Sequence, residues 1–379
     1  MLPSSFTLLQ VTPALDGGGV ETLTVDMATA VAQAGARSLV AARGGRLEQA
    51  LAWGGGELVR MPLDRRDPAS LAVNAIRLAR LIRREEVSLV HVRSRAPAFS
   101  ALAAARWTRT PLVASYHGLY SAASPLKRWY NAAMTRGDAV IANSVFTREH
   151  IVAEHGLDPD EITLIPEGVD TEAFDPAGVS RERVERIRAA WGAAPGRPVA
   201  LLAARLTGHK GHELAIRALA RGHRREHVLL VFAGPGENGP LAANLLRLAK
   251  GAGVNLRIVE PCADMPAAYL AADFVAAPST RPETFGRSVA EAAAMGAIVV
   301  ASSLGAMLET VVDGETGFLV PAGDVEALAA AFERALAMTP AERLAMGTAA
   351  WRRIRERHSA RAMYEATFDL YSRLVGGRG

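Results

Sequence analysis

The chain has 379 residues, half of them apolar and 22% charged, with a formal net charge of +4. That length exceeds one ordinary core and predicts two domains, and the composition excludes an intrinsically disordered chain. A single cysteine, Cys262, excludes an internal disulfide and fits a reducing cytoplasm, and no apolar run reaches the ~18 residues of a spanning helix.

The opening MLPSSFTLLQV lacks a basic leader and reads as a first strand at 6–11, not a signal peptide. Asp16-Gly17-Gly18-Gly19 forms a loop ahead of a helix over 20–34. Strands follow at 38–42 and 58–62, then a helix at 71–84 with apolar residues on one face and arginines on the other. A strand at 88–92, a helix at 96–106, and strands at 112–115, 139–142 and 162–165, with a helix at 146–155, complete a first half. Residues 170–180 are turn-rich, 181–191 a charged helix, and 192–198 a Gly/Pro linker. The rhythm then restarts with strands at 199–204, 228–233, 256–259, 274–277, 298–301 and 317–320. Helices at 213–221, 241–250, 265–271, from 288 and at 307–312 separate them, and helices at 325–338, 341–357 and 361–375 finish the chain. Strands alternating with helices give parallel, doubly wound sheets, so the fold class is α/β with two Rossmann-like domains. In such sheets ligands bind at the carboxyl ends of strands, and two halves facing each other would share a central cleft.

The residues that stand out fall at those strand ends. In RPETFGRSVAEAAAMG, residues 281–296, a loop with Gly286 runs into a helix of small residues, and Glu283 and Glu291 are separated by seven positions. A helix start favours phosphate. A glutamate deep in such a helix needs a polar partner, which a sugar diol can be. A capped core helix with a satisfied glutamate fits the same spacing. Arg205 and Lys210, in one loop with Gly208 and Gly211, make a diphosphate clamp or two surface cations. Together with Glu291 they describe a nucleoside diphosphate site. The loop at Gly17–Gly19 fails the dinucleotide fingerprint, because Thr22 stands where the last glycine belongs. Its use is close approach of backbone to a sugar or phosphate. His117, between Tyr116 and Gly118, is a further site candidate. Asp158-Pro159-Asp160 lies before a strand and reads as a turn, so no metal site is expected. Residues 60–136 carry 14 Lys/Arg against 4 Asp/Glu, a net of +10, which predicts a basic face on the first domain and attraction to an anionic membrane or acceptor. Tyr120, Lys127, Arg128, Trp129 and Tyr130 add aromatic and basic side chains to the same region.

In chain order, Gly17-Gly18-Gly19, His117-Gly118, VIANSVFTREHI, IPEGVDTEAFDP, ARLTGHKG, PETFG with its second glutamate, and ETVVDGETGFLVPAGD resemble glycosyltransferase family 4, retaining enzymes of the GT-B fold. The resemblance covers nearly the whole chain. It implies an acceptor domain at 1–175 plus 359–379, with the final helix crossing back to it, and a nucleotide-sugar domain at 176–358. It implies that Arg205 and Lys210 grip the donor diphosphate and that Glu291 holds the ribose hydroxyls. Glu283 and the backbone of Thr284, Phe285 and Gly286 would hold the donor sugar and phosphate. The catalytic set is then His117, Arg205, Lys210 and Glu283, with Gly18 and Gly19 also at the donor. The implied activity is transfer of a hexose from a nucleotide sugar, UDP ahead of GDP, to a lipid-linked or polysaccharide acceptor such as lipopolysaccharide core. No cofactor, metal or nucleic-acid partner is expected, and the expected location is the cytoplasm or the inner face of its membrane. The alternatives are a nucleotide-sugar epimerase of this fold and a non-catalytic sugar-binding protein. The loop Glu260-Pro261-Cys262 departs from the family's glycine-containing turn where the base is framed.

Overall fold

The computed structural model describes residues 2–3, 5–120 and 124–377, so residues 121–123 of the aromatic and basic segment lie outside it. The chain divides into two compact units, Met1–Pro166 with Arg361–Gly379, and Glu167–Ala360. The family resemblance implies limits at 175 and 359 instead.

The first unit is built on β1 (Thr7–Val11), β2 (Arg37–Ala42), β3 (Glu57–Arg60), β4 (Leu89–Val92), β5 (Leu112–Tyr116), β6 (Ala139–Ala142) and β7 (Ile162–Leu164). They form one parallel sheet in the order β3-β2-β1-β4-β5-β6-β7. Its strands are apolar nearly throughout because helices cover both faces. Leu9, Val11, Val90, Val92 and Ala114 pack on one face, and Phe6, Leu8, Leu89 and Val113 on the other. The second face is closed by Met363, Leu370 and Tyr371 of the last helix, Ala360–Gly376, which packs within this unit. Local signals set the helix starts. Asp67 accepts from Ser70 N at 2.8 Å ahead of Pro68, a cap that stabilises helix Pro68–Arg84 by about 1 kcal/mol.

The second unit repeats the plan with β8 (Val199–Ala203), β9 (Leu229–Ala233), β10 (Asn255–Val259), β11 (Phe274–Ala277), β12 (Val299–Ser302) and β13 (Phe318–Val320). The parallel order is β10-β9-β8-β11-β12-β13. The two chain passages joining the units meet at Gly168. Val169 N donates to the His358 carbonyl at 2.8 Å, and Ala360 N to the Val169 carbonyl at 2.9 Å. A Cβ on Gly168 would lie 2.5 Å from the Ser359 and Ala360 backbone, so only glycine lets the strands cross so closely.

Strand order reverses between β1 and β4 in the first sheet and between β8 and β11 in the second. Helices on opposite faces leave a crevice at such a point, beyond the carboxyl ends of the strands. The loops after β1, β4, β8 and β11 are therefore where a ligand site belongs.

Candidate active site

In the second unit, Arg205 follows β8 and the 281–286 loop follows β11, so the two segments flank its switch point. Gly211 joins them. Its φ is +76° and a Cβ there would lie 1.9 Å from the Pro278 carbonyl oxygen, so glycine brings the start of helix His212–Arg221 against the end of β11. Thr280 N donates to the His209 carbonyl at 2.8 Å and fixes the register of the two loops. The result is an ion pair of 2.8 Å between Lys210 Nζ and Glu283 Oε2, both about four-fifths buried, while Ser279 Oγ donates to Glu283 Oε1. Arg205 is exposed and makes no hydrogen bond or ion pair among the described residues. His209 lies amid these charges; its partial burial, then Lys210, hold its pKa below the usual range.

Helix Arg287–Ala294 starts at Gly286, which has φ +82° and provides no side-chain cap. The sequence reading gave Gly286 to a ligand. The structure gives it two internal reasons: the left-handed backbone, and Met307, whose Cε would stand 1.9 Å from a Cβ. Phe285 points its ring into the core with Val169, Ala290 and Ile354, leaving its backbone at the loop. Glu291 lies one turn into the helix and is 13% exposed. It accepts from Tyr269 OH at 2.8 Å and from Arg287 Nε at 2.9 Å. The polar partner that its position demands is thus supplied by the protein itself, by two residues that sequence reasoning missed. Arg287 was legible in principle, four residues before Glu291 on one helix face. Tyr269 belongs to the preceding helix, Met265–Ala271, and nothing local pointed to it.

In the first unit, Gly18 caps helix Gly19–Gln33 in an extended conformation. Among the described residues, no atom beyond its chain neighbours and its own helix backbone lies within 4 Å of a Cβ built on Gly19, so packing does not require glycine there. His117 follows β5, and its Nε2 faces Arg93 Nη1 at 3.5 Å. Arg93, 3% exposed, donates through Nε to Gln10 Oε1 at 2.9 Å, and Gln10 Nε2 donates to the Thr24 carbonyl at 2.9 Å. This buried polar chain links β1, β4 and β5 at the first switch point; Gln10 and Arg93 were not singled out from the sequence. His91 lies on β4. It is a core residue, between Tyr371 OH at 2.5 Å and Ser115 Oγ at 2.6 Å, and burial holds its pKa well below the usual range. Asp158 caps a short turn by accepting from Asp160 N at 3.0 Å, so the D-x-D spacing serves a turn.

Comparison with known proteins agrees with this layout. Residues 17–173 match Glycosyltransferase Family 4, and residues 183–353 match Glycosyl transferases group 1. The chain is 34% identical over 295 residues, 73% of this chain and 74% of that protein, to a GDP-mannose-dependent alpha-(1-6)-phosphatidylinositol monomannoside mannosyltransferase of Mycolicibacterium smegmatis. It spans about half the length of other curated relatives it matches. With a D-inositol 3-phosphate glycosyltransferase of Mycobacterium sp. strain JLS it shares 34% identity over 209 residues, 54% of this chain and 46% of that protein. A glycosyltransferase of Rickettsia africae superposes with a TM-score of 0.90 at 28% identity, covering 98% of this chain and 99% of that one. Anabaena Alr3699/HepE in complex with UDP and glucose shares the fold, with a TM-score of 0.85 at 21% identity over 97% and 99% of the two chains. The two matched domains, the extended relative and the paired Rossmann-like sheets together place this chain in glycosyltransferase family 4, with the GT-B fold.

Proposed function

We propose that the chain transfers a hexose from a nucleoside diphosphate sugar to a lipid-linked or polysaccharide acceptor, with retention of configuration and without a metal. One observation carries this reading. Arg205, the Lys210–Glu283 pair and the uncapped start of helix Arg287–Ala294 converge at the switch point of a single sheet. Two cations and a helix start are suited to a diphosphate whose charge grows as the glycosidic bond breaks. Glu291 takes the ribose hydroxyls, and Glu283 with the backbone of Thr284, Phe285 and Gly286 takes the sugar and phosphate. His117 and the backbone at Gly18 and Gly19 are assigned to the transferred sugar and its phosphate.

The acceptor hydroxyl oxygen attacks the anomeric carbon on the face from which the diphosphate departs. Its proton passes to the departing phosphate oxygen, so no protein nucleophile is required. The protein's share is to hold the donor and to stabilise the leaving group through Arg205 and Lys210.

The relative matched over 295 residues is GDP-mannose-dependent by name, which sets GDP level with UDP as the donor nucleotide. That name and the inositol phosphate relatives' both describe acceptors bearing a phosphate. Exposed Arg77, Arg80, Arg83, Arg84, Lys127 and Arg128, with Trp129 54% exposed, support attraction to such an acceptor or to the anionic membrane holding it. Among the described residues no helix is long and apolar enough to cross a membrane.

The test is nucleoside diphosphate release from UDP- and GDP-hexoses with a phosphorylated glycolipid acceptor present. Lys210→Ala should lower turnover by about 10²–10³. Near wild-type turnover in that variant contradicts the assignment, and release without any acceptor dependence contradicts transfer.

A further inference from the structure

We infer that Tyr269 and Arg287 are positioning residues that orient the Glu291 carboxylate for the ribose hydroxyls and so set the preference for ribonucleotide over deoxyribonucleotide donors. The inference rests on the ribose role proposed for Glu291. Its geometry is independent of that role. Tyr269 OH and Arg287 Nε donate to different oxygens of Glu291, at 2.8 and 2.9 Å, and so fix the carboxylate plane from two sides. An ionised carboxylate offers about four acceptor positions, more than the two that these donors take.

Helix electrostatics do not favour Arg287, and side-chain volume alone does not call for a tyrosine at 269. Arg287 is the first residue of its helix, where the dipole favours an anion and disfavours a cation. In its pair with Glu291 the cation precedes the anion by four residues, the weaker order for an i,i+4 pair. The arrangement opposes the helix it sits on, and such local conflicts mark functional sites. Tyr269 is 1% exposed, with its ring 6.2 Å from Phe174. A phenylalanine would fill that space equally well. The hydroxyl is the added feature, and it goes to Glu291. Burial and the neighbouring Glu291 charge hold the Tyr269 pKa well above its usual value, so it stays a donor at any working pH.

The arrangement is also repeated. Glu283 is held by one cation and one hydroxyl, Lys210 and Ser279, as Glu291 is by Arg287 and Tyr269. Both carboxylates of the motif are thus aimed before a donor arrives, which lowers the cost of ordering them on binding.

The experiment measures affinity of wild type, Tyr269→Phe, Arg287→Leu and Arg287→Lys for UDP and 2′-deoxy-UDP, and for GDP and 2′-deoxy-GDP, by titration calorimetry. Wild type should favour the ribose form of its nucleotide by about tenfold or more, the worth of one hydrogen bond to a charged group. Tyr269→Phe and Arg287→Leu should lose affinity for the ribose form alone, bringing the ratio to within about twofold, while Arg287→Lys retains most of it. A variant that merely damages the fold would lower both affinities together and leave the ratio in place. The positioning role is overturned if Tyr269→Phe and Arg287→Leu keep the wild-type ratio. A wild-type ratio near one instead overturns the ribose role of Glu291, and the inference with it. Should either substitution prevent folding, the remaining variants decide the same ratio.

Discussion

Gly211→Ala tests how the donor loop is built. Two costs follow from the structure. An alanine at φ +76° enters the left-handed region, at about 1 kcal/mol. Its Cβ would also lie 1.9 Å from the Pro278 carbonyl oxygen. Real Cβ contacts essentially never fall under 3.0 Å, so the loop or the end of β11 must move by at least about 1.1 Å. A backbone carbonyl cannot rotate aside as a side chain can, and overpacking of this kind costs about 1–3 kcal/mol. The total, about 2–4 kcal/mol, corresponds to a fall of roughly 5–15 °C in the melting temperature of the second unit. The same displacement is large against the 2.8 Å Lys210–Glu283 contact, so nucleotide affinity should fall as well. Gly208→Ala is the matched control three residues earlier, because among the described residues nothing beyond its chain neighbours lies within 4 Å of its Cβ position. It should stay within about 0.5 kcal/mol of wild type. Denaturant melts and nucleotide titration of both variants decide the matter. If Gly211→Ala matches Gly208→Ala in stability and binding, the packing argument for this loop is wrong.

Burial pushes the His212 pKa down to about 4, so the folded second unit favours the neutral ring. Its contribution to stability is whole above the unfolded pKa of ~6.5 and is lost as pH falls towards 4, by roughly 3 kcal/mol in all. His212→Gln should flatten the pH dependence of unfolding across that window, and an unchanged slope in denaturant melts at pH 6.5, 5.5 and 4.5 contradicts it. Tyr371→Phe removes the 2.5 Å bond to His91 and leaves a buried ring nitrogen without its partner. It should destabilise the first unit by about 1–3 kcal/mol and speed proteolysis within the last helix, and wild-type protease resistance contradicts this.

Periodicity was sufficient for most of the fold. Long apolar strands between capped helices announce themselves, so the seven- and six-stranded sheets match the predicted alternation closely. Helix Glu48–Trp53 was not read, being six residues long, too short for an apolar stripe to repeat. The site divides in the same way. Arg205, Lys210 and Glu283 stood out because charges at strand ends of an α/β fold are conspicuous, and Glu291 because a charge inside a helix of small residues needs a partner. Their partnerships did not, because Lys210 meets Glu283, and Tyr269 meets Glu291, only when separate βα units are placed side by side. Arg93 was hidden by composition, one arginine among many in a basic segment, and only burial distinguishes it. Gly286 has a reason that the sequence did not show: its left-handed backbone favours glycine whether or not a ligand approaches it.

The central claim is that the second unit binds a nucleoside diphosphate at Arg205, Lys210 and Glu291. The direct measurement is a thermal-shift panel of UDP, GDP, ADP and CMP on wild type and Glu291→Ala. At a hundred times its dissociation constant a ligand stabilises by about 2.7 kcal/mol, or roughly 5–10 °C here. The account predicts that UDP or GDP raises the wild-type melting temperature by that order and that Glu291→Ala loses most of the rise. No shift with any of the four, or an equal shift in both proteins, contradicts it.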